Sequence, residues 1–169
     1  MSLNLYFLRH GLAVDHGTPG FARDADRPLT SKGKRQLHKI TRTMRAMKLR
    51  FDLVLSSPLV RARQTAEIVA ADLKLKKRLI FADELKPGGD AKALVKRIAT
   101  LGPKPENLVL VGHEPDLSKL ISMFVTGQPS AGFALKKGGV AKLEAGQLRA
   151  GQCAILAWLL TPGQMKLMS

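Results

Sequence analysis

The chain has 169 residues, 45% of them hydrophobic, with one cysteine and 28 Lys and Arg against 13 Asp and Glu, a net charge of +15. That is apolar material for one core of ordinary size, so one domain over residues 1–169 is expected, and a lone thiol excludes an internal disulfide framework and fits a reducing compartment. No apolar run is long enough to span a bilayer and Arg9 interrupts the first one too early for a secretory leader, so the expectation is a soluble cytoplasmic protein with no membrane partner.

Residues 3–8 (Leu-Asn-Leu-Tyr-Phe-Leu) read as a short buried strand that ends in Arg9-His10-Gly11. A cation and an imidazole at a strand terminus lie where open α/β sheets hold their ligands. The stretch from Leu12 to Pro28 is rich in Gly, Pro and charge and reads as a long irregular loop; His16 within it is expected to be exposed. Thr30 or Ser31 is expected to cap a helix to about Leu49, with Leu37, Ile40, Met44 and Met47 on its apolar stripe. Eight basic and no acidic residues lie between Lys32 and Arg50. Without interleaved aromatic residues for base stacking, that face reads as a solvated surface, and nucleic acid is an unlikely partner.

Residues 52–56 read as a second strand. Ser57-Pro58 looks like an N-cap and first helical residue, with Leu59, Ala62, Ala66, Val69, Ala70 and Leu73 forming the apolar arc of the helix that follows. Arg61 lies off this arc in the first turn, where free N–H groups already favour an anion. A short strand near residues 79–81, a Pro-Gly-Gly turn and a helix capped by Asp90 lead to residues 107–111, a continuous β-rich run expected to be central. It ends in Gly112-His113-Glu114-Pro115, before a helix from Asp116 to about Thr126. Strands at about 140–143 and 152–160 complete the chain, with Cys153 and Trp158 expected in the core. The alternation describes a three-layer α/β/α sandwich around a mostly parallel sheet.

Three segments carry the chemistry: Arg9-His10-Gly11, the run SSPLVRARQT from Ser56 to Thr65, and Val111-Gly112-His113-Glu114-Pro115. In this order, each at a strand end, they resemble the histidine phosphatase superfamily, also called phosphoglycerate-mutase-like. The RPLT segment (Arg27 to Thr30) and the ELKPGGD segment (Glu84 to Asp90) resemble its SixA branch, whose type member is a protein-phosphohistidine phosphatase. The resemblance implies that His10 is the nucleophile that becomes transiently phosphorylated. It implies that Arg9 and Arg61 bind the phosphate and that His113 contacts the transferred group. Two guanidiniums and a second imidazole can stabilise the equatorial oxygens, so no metal or cofactor is called for.

Members that cleave phosphate esters usually carry a glutamate general acid after the third strand; here that position falls near Pro87, and Glu84 and Asp90 are the candidates to replace it. A phosphohistidine substrate makes a strong acid less necessary, because an imidazole replaces an imidazole. The expected activity is therefore hydrolysis of phosphohistidine carried by a phosphoprotein, with a small phosphate ester or phosphorylated metabolite as the alternative substrate. A basic polyanion-binding module is the alternative of another class.

Overall fold

The computed structural model describes residues 2–168. Six strands form one sheet: β1 (Leu3–Arg9), β2 (Leu53–Ser56), β3 (Leu79–Phe81), β4 (Asn107–Gly112), β5 (Val140–Ala145) and β6 (Ala154–Leu160). Their order is β3-β2-β4-β1-β5-β6. The four strands from β3 to β1 run parallel, while β5 and β6 add to the β1 side as antiparallel neighbours.

Strand alternation divides the interior into two cores. Leu5 and Phe7 of β1, Leu53 and Leu55 of β2, and Leu108 and Leu110 of β4 face one side; Tyr6, Leu8, Val54, Val109 and Val111 face the other. Helices α1 (Ser31–Ala46), α2 (Val60–Asp72) and α5 (Pro162–Lys166) cover the second face, through residues such as Leu37, Ile40, Ala66 and Met165. Helices α3 (Ala91–Ala99) and α4 (Asp116–Thr126) cover the first, through Leu94, Ile98, Ile121 and Phe124. The result is the α/β/α sandwich anticipated from the sequence. Buried on both faces, the central strands need the unbroken Leu/Val/Phe runs they carry, each such side chain contributing about 1.5–3 kcal/mol.

The topology creates the site. β1 and β4 are neighbours, with Arg9 opposite Gly112, yet β1 leads to α1 on one face and β4 leads to α4 on the other. Chain leaving adjacent strand ends in opposite directions opens a crevice at their carboxyl ends.

Several boundaries differ from the sequence reading. α1 stops at Ala46 because Met47 closes the last turn and Lys48 takes a left-handed φ of 55°, so Leu49 is outside the helix. Ser57 is not the N-cap: that position is Leu59 (φ −60°, ψ 140°), and α2 starts at Val60. The segment 13–29 is not structureless, since Ala13 bridges Leu29 and residues 24–26 form a short 3-10 turn. Cys153 and Trp158 are half-buried at the core margin rather than inside it. α5 was not anticipated; Thr161 and Gln164 close it with a capping box. Among the described residues no helix is long and apolar enough to cross a membrane.

Candidate active site

His10 is the first residue past β1, and its backbone is tied on both sides. Its N–H donates to Gly112 O (3.1 Å), while the Gly138 N–H reaches the carbonyls of Arg9 (3.1 Å) and His10 (3.2 Å). Gly11 permits close packing behind it, since a Cβ there would lie 3.0 Å from the Leu37 side chain and 3.4 Å from that of Leu29. The Gly11 N–H donates to Thr65 Oγ1 (3.1 Å), whose hydroxyl donates to Arg61 O (2.7 Å), so the end of β1 and α2 are joined beside His10 and Arg61.

The structure brings together the four residues the sequence singled out. His10, Arg61 and His113 are all buried, and the His10 and His113 rings face each other across 5.3 Å between centroids. Two contacts fix the tautomer of His10. Nδ1 lies 2.8 Å from Gly11 O, which can only accept, so Nδ1 carries the proton. Nε2 lies 3.2 Å from Arg61 Nε, which can only donate, so Nε2 presents its lone pair. Burial, opposed by the bond to Gly11 and reinforced by His113, Arg61 and Arg9, lowers the pKa of His10 from 6.5 to about 3. His113 is lowered to about 4, first by burial and then by Arg61, with Asp24 acting in the opposite sense. Both imidazoles are neutral at pH 7.

The cations are held differently. Arg9 Nη1 donates to Leu135 O (2.9 Å), and its Nε is buried with no hydrogen-bond partner among the described residues. Burial lowers the pKa of Arg9, and Glu114 opposes the effect. Arg61 keeps Nε toward His10 while Nη1 donates to Asp24 O (2.7 Å) and Nη2 to Asp24 Oδ2 (2.8 Å). Arg27 donates from Nε (2.9 Å) and Nη2 (2.7 Å) to the other oxygen of the same carboxylate. Burial opposes ionisation of Asp24, but the bonds from Arg27 and Arg61 outweigh it and hold its pKa below the ordinary value.

His113 Nε2 shares a 2.8 Å hydrogen bond with Ser57 Oγ, and its Nδ1 is buried with no hydrogen-bond partner among the described residues. Ser57 and Asp24 are therefore site residues that the sequence reading did not identify. Ser57 carried a helix-cap signature, and Asp24 sat in a loop with no periodicity to place it. The two candidates for a general acid stand outside this hydrogen-bonded network. Asp90 caps α3, its Oδ2 accepting the Ala93 N–H at 2.8 Å, and among the described residues neither Asp90 nor Glu84 bonds to Arg9, His10, Arg61 or His113.

The same segments match a known family. Residues 5–86, which hold Arg9, His10 and Arg61, match the model of the histidine phosphatase superfamily (branch 1). An uncharacterized protein of Picosynechococcus sp. is 38% identical over 148 residues, covering 87% of this chain and 88% of that protein. The chain belongs to the histidine phosphatase superfamily. Within it, the phosphohistidine phosphatase SixA of Escherichia coli is 29% identical over 127 residues, covering 75% of this chain and 76% of its own. The fold agrees: the structure of the protein histidine phosphatase SixA complexed with tungstate superposes with a TM-score of 0.81 at 24% identity, covering 95% of this chain and 98% of that one.

Proposed function

We propose that this chain is a phosphohistidine phosphatase that works through a covalent phosphohistidine on His10, with a phosphoprotein as the substrate. The observation that carries the proposal is the tautomer of His10: its Nε2 lone pair is unprotonated and flanked by the guanidinium of Arg61. Nε2 attacks phosphorus as the bond to the substrate imidazole breaks. The Arg61 Nε–H moves from Nε2 to a phosphoryl oxygen, so the cation follows the transferred charge. Arg9 Nε and His113 Nδ1, both buried without protein partners, belong to the same cluster, and Arg9 can donate to the remaining oxygens. Water then attacks phosphorus, phosphate leaves, and His10 returns to its neutral form.

The choice of leaving group rests on chemistry. An alkoxide needs protonation as it departs, whereas a phosphohistidine protonated on its second ring nitrogen releases a neutral imidazole that needs no acid from the enzyme. Among the described residues neither Glu84 nor Asp90 hydrogen-bonds to the four central residues, which supports that choice. A free thiol at Cys153 supports a cytoplasmic setting. The test compares phosphate release from a phosphohistidine protein, para-nitrophenyl phosphate and sugar phosphates, with acid quenching avoided. Faster turnover of the protein substrate and an acid-labile, base-stable adduct absent from His10→Ala are expected. Faster turnover of the esters would overturn the substrate assignment.

A further inference from the structure

Arg61 is almost fully buried, and a buried guanidinium requires a counter-charge. Among the described residues the carboxylate that pairs with it is Asp24, which reaches it from the loop between β1 and α1, 37 positions away in sequence. The arrangement goes beyond simple neutralisation. Asp24 takes Arg61 twice, once through its carbonyl and once through Oδ2, and these contacts use the two terminal nitrogens of the fork. Asp24 is held in turn by two bonds from Arg27, whose remaining terminal nitrogen donates to Val14 O (2.7 Å) on the first leg of the loop. The chain of contacts runs Val14, Arg27, Asp24, Arg61, His10.

We propose that Asp24 is a positioning residue: a clamp that fixes the plane of the Arg61 guanidinium so that its Nε–H points at His10 Nε2. The geometry distinguishes this role from that of an internal competitor for phosphate. A competing carboxylate would occupy the donor that faces the nucleophile. Asp24 leaves that donor to His10 and grips the two terminal nitrogens of the fork. The guanidinium can thus exchange Nε2 for a phosphoryl oxygen without turning, and a planar fork held on one edge loses little freedom when its other edge binds. The carboxylate also subtracts charge from the pocket, so the clamp favours alignment at the expense of ground-state attraction for phosphate.

The two effects separate in Asp24→Ala and Asp24→Asn. In Asp24→Ala the Oδ2 contact is gone, and kcat is expected to fall about tenfold through misalignment. Binding of inorganic phosphate, measured by titration calorimetry, is expected to tighten, because a negative charge has left the pocket. Asp24→Asn keeps an oxygen acceptor without the charge, so kcat should recover to within about threefold of wild type while phosphate binding stays tight. The kinetic arm rests on the phosphatase reading, so a direct readout accompanies it. The Arg61 Nε–H resonance in a 1H–15N spectrum should be sharp in wild type and Asp24→Asn, and broadened in Asp24→Ala. An unchanged Arg61 resonance in Asp24→Ala would overturn the clamp whatever the enzyme hydrolyses. So would loss of kcat and phosphate binding together, with no rescue by Asn, which marks a role in loop folding alone. Wild-type protein that shows the Arg61 response without phosphatase turnover would instead overturn the proposed function and leave the clamp standing.

Discussion

The rings of His10 and His113 stand 5.3 Å apart, tilted by 53°, with both pKa values pushed far below that of a free imidazole. Two neutral imidazoles side by side have a cost that appears on acidification. The folded values, about 3 and about 4, lie below the 6.5 of the unfolded chain, so the unfolded state takes up protons first. The stability linked to these residues is complete above the unfolded value and drains away as pH falls from there toward the folded values. Urea midpoints should show about 2 kcal/mol of stability per histidine lost between pH 7 and pH 5. His10→Gln and His113→Gln should each remove that share of the pH dependence.

The same shifts set the rate profile. With para-nitrophenyl phosphate, and after correction for the substrate's own ionisation, kcat/KM should show no acid limb near pH 6.5, because the free enzyme's histidines are already unprotonated. An inflection at 6.5 that disappears in His113→Gln would contradict the neutral pair.

Ser57 should matter to turnover as well as to folding. Its hydroxyl is the protein partner of His113 Nε2, and His113 Nδ1 has none, so Ser57→Ala leaves a buried ring with neither nitrogen paired. A loss of about 1–2 kcal/mol in transition-state stabilisation, roughly a five- to thirtyfold drop in kcat/KM, is expected. Single-turnover kinetics of Ser57→Ala beside Ser57→Thr, which keeps the hydroxyl, would measure it.

Gly33 reverses a familiar expectation. Replacing a helix glycine by alanine usually stabilises by up to about 1 kcal/mol. Here a Cβ would lie 2.2 Å from the carbonyl oxygen of Leu12, two residues beyond His10. Gly33→Ala should therefore lower the melting temperature, with a loss of about 2 kcal/mol or more as α1 is pushed from that strand end, and weaken phosphate binding with it.

Asp90 separates a cap from an acid. Asp90→Ala should cost about 1 kcal/mol in chemical denaturation through loss of the bond to the Ala93 N–H. Phosphate release should stay near the wild-type rate. A large fall in turnover would restore Asp90 as the proton donor.

These sites differ in how far the sequence could show them. Arg9, His10 and His113 were legible because polar groups at the ends of buried strands interrupt an apolar pattern, and Arg61 because it breaks the apolar arc at a helix start. Ser57 was misread because Ser-Pro is the usual opening of a helix. The helix instead begins at Val60 with Leu59 as its N-cap, and the Ser57 hydroxyl bonds to His113, 56 positions later. Asp24 had no local signal at all: its role depends on an irregular loop folding back across 37 residues. α5 is five residues long and contains Pro and Gly, so it resembled a turn, although Thr161 and Gln164 held the spacing of a capping box.

The contact between Nδ1 of His10 and the carbonyl of Gly11 also decides regiochemistry. With that nitrogen committed to the backbone, any phosphoryl group taken up by His10 is directed to Nε2. An adduct formed there would be the 3-phosphohistidine isomer, with the backbone at a single glycine selecting between the two isomers.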